Sequence, residues 1–157
     1  MRRAGTRDLD DSDLAYHLAT GIGDIVRGTR AGGLLHGRSL ARVANEVAQD
    51  WTDEVLAVHR PDDGTLSEGV ADDLGRLDRS RVWIIDVIDG TKEFSTGRSD
   101  WSVHVALVVD GTPTVASVGL PDAGRVFRSD HVDHVDGPLA GTIVISRNNP
   151  PPEAHRV

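Results

Sequence analysis

Apolar residues recur at helical spacing through the first third of the chain and alternate with polar ones beyond its middle. Leu14, Leu18, Ile22, Ile25 and Val26 share one stripe, which predicts an amphipathic helix running to about Arg27. The acidic lead-in from Asp8 to Asp13 complements the positive end of a helix dipole, with Ser12 as the N-cap. Gly21 and Gly23 each weaken that helix by roughly 1 kcal/mol relative to alanine, so it must depend on packing. Ala31 to Gly37 reads as a glycine-rich connection. A second helix is predicted from about Ser39, with Leu40, Val43, Ala44, Val47, Trp51, Val55 and Val58 on one stripe, and Pro61-Asp62-Asp63-Gly64 stops it as a turn.

Strands follow. Thr65 to Ser67 is a short strand delivering Glu68, and Gly69 to Ser80 is irregular with a helical turn near Asp72 to Leu77. Val82 to Ile85 is a continuous apolar run, the pattern of a strand buried on both faces. After a polar loop from Ser95 to Asp100, Val103, Val105, Leu107 and Val109 alternate with a face of Ser102, His104 and Ala106. Asp110-Gly111 is a hairpin signal, and the return strand Thr114 to Leu120 sets Ala116, Val118 and Leu120 on one face. Pro121-Asp122-Ala123-Gly124 makes a second turn into a strand from Arg125 to Ser129. Successive hairpins predict an α+β fold, an antiparallel sheet with the two helices on one face. Asp130 to Pro138 reads as a linker, and Thr142 to Ser146 as a further strand that cannot continue through Asn148, Asn149 and the prolines after them.

Composition narrows the function. The 157 residues are long enough for one compact domain and short for two. A formal charge of −8 argues against a nucleic-acid polymer or an anionic membrane as partner, and an anionic substrate would need cations to approach. There is no cysteine, hence no disulfide framework or thiolate chemistry. Met1-Arg2-Arg3 is not followed by an apolar stretch, and no segment approaches membrane-spanning length, so a cytoplasmic protein is expected.

The chemistry concentrates at Asp86 and Asp89. Asp86 ends a buried apolar run, a second carboxylate follows three residues later, and Gly90 closes the turn. Desolvated carboxylates this close need a cation between them. Oxygen ligands in a tight turn suit Mg2+, which shares its remaining sites with water and phosphate. Gly90 permits the sharp turn, and the N–H groups after it can form an anion-binding nest. An Asp-x-x-Asp pair alone would more often be a solvated turn.

The whole string Trp83-Ile84-Ile85-Asp86-Val87-Ile88-Asp89-Gly90-Thr91 resembles the metal-binding signature of the inositol monophosphatase superfamily of Mg2+-dependent phosphatases. Leu66-Ser67-Glu68 is similar to the family's upstream Leu-Ser-Glu-Glu motif. The continuation Lys92-Glu93-Phe94-Ser95 is closer to the CysQ-type 3'(2'),5'-bisphosphate nucleotidases than to the inositol branch. The resemblance covers the N-terminal half of the family fold, or slightly more. It implies the first half of a layered αβαβα sugar-phosphatase fold, with residues 1–138 as the sheet-and-helix domain and 139–157 opening a second α/β domain.

It also implies roles. Glu68 and Asp86 with the backbone carbonyl of Ile88 would hold one Mg2+, and Asp86 would bridge to a second bound by Asp89, with two or three ions in the intact fold. Thr91 would act with Glu68 to orient and deprotonate a water, and Gly90 and Thr91 would offer N–H groups to the phosphate. The implied reaction is hydrolysis of a small phosphate monoester such as 3'-phosphoadenosine 5'-phosphate. An inositol-phosphate phosphatase, or an inactive remnant serving as a binding or oligomerisation module, stands beside it, and a homodimer is open to either. Departures from the family pattern are Gly69 for a second glutamate, Val87 for a proline, a lysine and an aspartate lacking between Gly37 and Glu46, and no Trp-Asp-x-Ala motif. The chain alone is accordingly expected to be nearly inactive.

Other constellations read as structural. His131 and His134 in a polar stretch are solvated more readily than they bind a transition metal. His104 reads as a half-buried packing residue, Arg76, Arg79 and Arg81 as a solvated face, and Trp51, Trp83 and Trp101 as packing residues.

Overall fold

A computed structural model of the chain describes residues 9–69 and 71–131. Helix α1, Asp11–Ala31, is capped by Asp10, whose carboxylate accepts from the Asp13 N–H at 2.7 Å. The cap falls two residues earlier than Ser12, because a carboxylate there meets the exposed N–H groups and leaves Ser12 inside the first turn. Leu14, Leu18, Ile22 and Val26 are buried, as their spacing predicts.

Helix α2, Gly37–His59, buries Leu40 and Ala44 of the expected stripe and packs Trp51 and Val55 against the core, but its buried face is rotated from that stripe. Leu40, Ala41, Ala44, Ala48, Thr52 and Leu56 are inside, whereas Val47 and Val58 are 47% and 67% exposed. A stripe drawn through the large aliphatic residues is therefore rotated away from the true contact. Small side chains let the helices approach closely; Gly21 of α1 serves the same end, and Gly23 makes room for the turn at Pro121. A Cβ on Gly21 would lie 2.3 Å from the Trp51 ring, and one on Gly23 would lie 2.8 Å from Pro121 Cγ.

Five strands form one sheet in the order β1-β2-β3-β4-β5: Gly64–Ser67, Arg81–Asp89, Ser102–Val109, Thr112–Leu120 and Arg125–Arg128. From β2 to β5 the sheet is the antiparallel meander that the hairpin signals predict. Strand β1 departs from that pattern and pairs parallel to β2, with Gly64 opposite Val82 and Ser67 opposite Ile85. Residues 68–80 carry the chain back to the start of β2, and a crossover of that kind is what parallel pairing requires. This connection includes a 3-10 turn at Leu74–Asp78.

Both long helices lie on one face of the sheet, against Trp83, Ile85, Val87, Val103, Val105 and Leu107, all buried. Among the described residues nothing covers the other face. The register aligns Leu66, Ile84, Ala106 and Ala116 across it, and Ile84 is 41% exposed. Among the described residues the β2 run is thus buried on one face, and its outer residues are apolar as well.

Arg81 is more than part of a solvated face. It donates to Asp63 and Asp11, each at 2.9 Å, while the Trp83 indole N–H donates to the other Asp63 oxygen at 2.8 Å. These contacts tie the start of α1 and the turn after α2 to the head of β2. The 139–157 unit, the Thr142 to Ser146 strand and His134 lie outside the described residues.

Candidate active site

Parallel pairing of β1 with β2 sets the geometry. Because Ser67 stands opposite Ile85, the next residues, Glu68 and Asp86, emerge side by side, and the Glu68 N–H donates to the Ile85 carbonyl at 3.2 Å. The two carboxyl groups lie close enough for Glu68 to act directly on the Asp86 carboxyl. Burial, first, and then Glu68 push the Asp86 carboxyl up to about 7, against a smaller opposing effect from the Ile88 N–H, which donates to Asp86 Oδ1 at 3.0 Å. Two carboxyls brought this close form a site that a divalent cation would relieve.

The β2 ladder breaks between Asp86 and Asp89, where the register against β3 shifts. Ile88 points its side chain into the core and is 3% exposed, while its carbonyl accepts from the Thr91 hydroxyl at 3.0 Å. Gly90 follows at φ +89°, a left-handed conformation, and a Cβ there would meet the Trp101 backbone at 3.3 Å. Thr91–Ser95 forms the short helix α3.

The structure therefore gathers Glu68, Asp86, the Ile88 carbonyl and Thr91 at one strand end. Asp89 stands apart. Its Oδ2 accepts from the Ser102 hydroxyl at 3.2 Å and lies 3.4 Å from His104 Nε2. Among the described residues no three acidic or histidine side chains close into a cage, so the donor set is a tight pair with Asp89 at its rim. The set is all oxygen, mostly anionic, and fits a hard cation.

Two groups that sequence reasoning did not assign to the site belong to it. A cleft of about 410 Å³ runs from Glu68, Asp86 and Thr91 to Arg38, Arg42 and Asn45 of α2. Arg42 is engaged by Glu46 at 2.8 Å. His104, read as a packing residue, instead faces the metal motif with its side chain 48% exposed. The alternation of β3 had already put Ser102 and His104 on one face, but only the register sets that face beside Asp86 and Asp89.

Behind the turn, Arg30 of α1 donates to both oxygens of Asp122 at 2.6 and 2.7 Å, and the Trp101 indole donates to the same carboxylate at 2.9 Å. Burial works against the ionised Asp122, yet the Arg30 and Trp101 hydrogen bonds outweigh it and hold this carboxyl below its ordinary range. The Arg30 guanidinium also sits 5.2 Å from the Phe94 ring and 5.7 Å from that of Trp101. Phe94 and Trp101 pack edge to face, 5.1 Å apart. This node fixes α3 and with it the turn that carries Gly90 and Thr91.

A family model described as the inositol monophosphatase family matches residues 11–137. The chain belongs to the inositol monophosphatase family. It is 40% identical to a 3'-phosphoadenosine 5'-phosphate phosphatase of Mycobacterium leprae, over 96% of this chain and 61% of that protein. It is 47% identical to the protein of the same name from Mycobacterium bovis, over 65% of this chain and 42% of the other. The chain thus spans about three fifths or less of these relatives' lengths. Among solved structures, SuhB of Mycobacterium tuberculosis is similar with a TM-score of 0.63 and 25% identity, over 75% of this chain and 43% of that one. An inositol monophosphatase from Zymomonas mobilis gives 0.62 and 28%, over 79% and 48%. These neighbours have the α+β fold of this family, the architecture expected from the hydrophobic pattern and the motif.

No helix among the described residues is long and apolar enough to cross a membrane.

Proposed function

We propose that the chain carries the metal half of a Mg2+-dependent phosphatase that hydrolyses the 3'-phosphate of a 3',5'-bisphosphorylated nucleoside, 3'-phosphoadenosine 5'-phosphate being the substrate tested first. The observation that carries this reading is the Glu68–Asp86 pair, two carboxyls forced together at the ends of parallel strands with one of them pushed up to about 7. Their neighbours are suited to the same task. Glu68, Asp86 and the Ile88 carbonyl would hold one cation, and Asp86 with Asp89 a second. Bound there, Mg2+ would lower the pKa of an attacking water and offset charge on the phosphate.

The protein's own groups then divide the remaining work. Thr91 commits its hydroxyl proton to the Ile88 carbonyl, which leaves its oxygen lone pairs to accept a hydrogen bond from the water and orient it. Glu68, exposed at the cleft, is placed to take the proton. The Gly90 and Thr91 N–H groups are offered to phosphate oxygens. Arg38 and Arg42 line the same cleft and bring positive charge to a wall facing the carboxylates.

The nucleotide is favoured over inositol phosphate by the Lys92-Glu93-Phe94 continuation and by the names of the Mycobacterium leprae and Mycobacterium bovis relatives. The test compares kcat/KM for phosphate release from 3'-phosphoadenosine 5'-phosphate and from inositol 1-phosphate, using the full gene product with Mg2+. A clear preference for the nucleotide is expected. A preference for the inositol ester would move the protein to the inositol branch.

A further inference from the structure

We propose that Arg38 and Arg42 of α2 hold a second phosphate of the substrate, with Glu46 as its built-in competitor, so that this wall of the cleft separates a bisphosphorylated nucleoside from a monophosphate. The inference rests on the phosphatase reading above and names residues that would set the substrate class. One cleft of about 410 Å³ has two unlike sides. Glu68, Asp86 and Thr91 supply one, and Arg38, Arg42 and Asn45 of α2 the other. Residues four apart on a helix are neighbours on one face, about 6 Å apart along the axis, so the two guanidinium groups form one basic strip. Among the described residues they are the cations that line this cleft. With the scissile phosphate at Asp86 and Thr91, the carboxylates there repel any further anion, and a second phosphate on the same molecule is drawn to that strip.

The two arginines differ in readiness. Arg38 is exposed and, among the described residues, makes no ion pair or side-chain hydrogen bond, so its five N–H donors are unspent. Arg42 is engaged. Its Nη1 donates to the two Glu46 oxygens at 2.9 and 2.8 Å, and both side chains are more than half exposed. An exposed pair one helical turn apart is a weak one. A phosphate dianion brings more charge and more acceptor oxygens than a carboxylate, and guanidinium binds it through two parallel N–H donors. It therefore takes Arg42 from Glu46, which lines the same cleft. A monophosphate has no second anion to offer and leaves the Arg42–Glu46 pair closed.

The probes are adenosine 3',5'-bisphosphate and adenosine 3'-monophosphate, titrated calorimetrically at constant ionic strength with Mg2+ present. They are added to the 157-residue chain and to its Arg38→Gln, Arg42→Gln, Glu46→Gln and Asp86→Asn variants, with folding checked by circular dichroism. The quantity read is the ratio of the two affinities. Wild type is expected to favour the bisphosphate by about tenfold or more, and each arginine variant to cut that ratio about fivefold. Glu46→Gln is expected to raise it about threefold, because Arg42 is released. A merely structural Arg42–Glu46 pair would move the ratio the same way in both of its variants, and that result would overturn the proposal. A bisphosphate preference that both arginine variants keep, or that wild type lacks, would also overturn it. In either case, nucleotide binding that needs Mg2+ and Asp86 would leave the phosphatase reading standing. If neither nucleotide binds in a manner that depends on Mg2+ and Asp86, that reading fails and takes this inference with it.

Discussion

Glu68 and Asp86 follow the paired residues Ser67 and Ile85 at the ends of two parallel strands, and burial together with Glu68 raises the Asp86 carboxyl to about 7. In the unfolded chain this group titrates near its ordinary value of 3.8. Between the two values the folded state retains a proton that the unfolded state has released, so stability falls as pH rises across that window. The metal-free protein is expected to lose stability through this group from about pH 4 to pH 7, with no further loss from it above. Thermal melts in EDTA check this. Asp86→Asn should flatten the pH dependence and melt higher than wild type at pH 8, because an amide keeps the Ile88 hydrogen bond without the charge.

The glycines of α1 give a prediction of sign. Helix propensity alone makes Gly→Ala stabilising by roughly 1 kcal/mol at any interior position. Gly28 has open space where a Cβ would stand, so Gly28→Ala is expected to stabilise by up to that amount. At Gly21 the added methyl would strike the Trp51 ring at 2.3 Å, and Gly21→Ala is expected to destabilise by about 1–3 kcal/mol. Urea unfolding of the two variants measures both. Equal effects would mean that Trp51 does not pack against α1 here.

Arg30 joins α1 to the turn behind the site. Arg30→Ala would leave Asp122, with a side chain only 14% exposed, short of its main partner and remove a cation from the faces of Phe94 and Trp101. A loss of about 2 kcal/mol is expected, below the range for fully buried pairs because water reaches part of this one. Near-ultraviolet circular dichroism of Trp101 should change with it. An unchanged spectrum and midpoint would show that the node does not hold α3.

The sequence and the structure agree most closely where period and turn chemistry act locally. The α1 stripe, the Asp110-Gly111 hairpin and the β3 alternation all reappear in the fold. What pattern could not supply was pairing between distant segments. The parallel placement of β1 depends on a crossover, not a turn, and it is this placement that seats Glu68 beside Asp86. The buried face of α2 is only partly legible, because Ala41 and Ala48 are inside while Val47 and Val58 are exposed. His104 was passed over because only strand register brings it opposite Asp86. The motif itself was legible as a resemblance, and its residues Glu68, Asp86, Ile88 and Thr91 converge in the structure. Asp89 lies at the rim on Ser102, a position that side-chain rotation decides and linear spacing does not.

The central claim is that Glu68 and Asp86 form a divalent-cation site, and calorimetric titration of Mg2+ into the purified chain at pH 7.5 tests it most directly. The account predicts saturable binding, accompanied by proton release when the titration is repeated at pH 6, where the Asp86 carboxyl still holds its proton, and by far less at pH 7.5. It predicts that Asp86→Asn and Glu68→Gln each abolish the heat while remaining folded. Identical titration curves for wild type and Asp86→Asn would contradict the account.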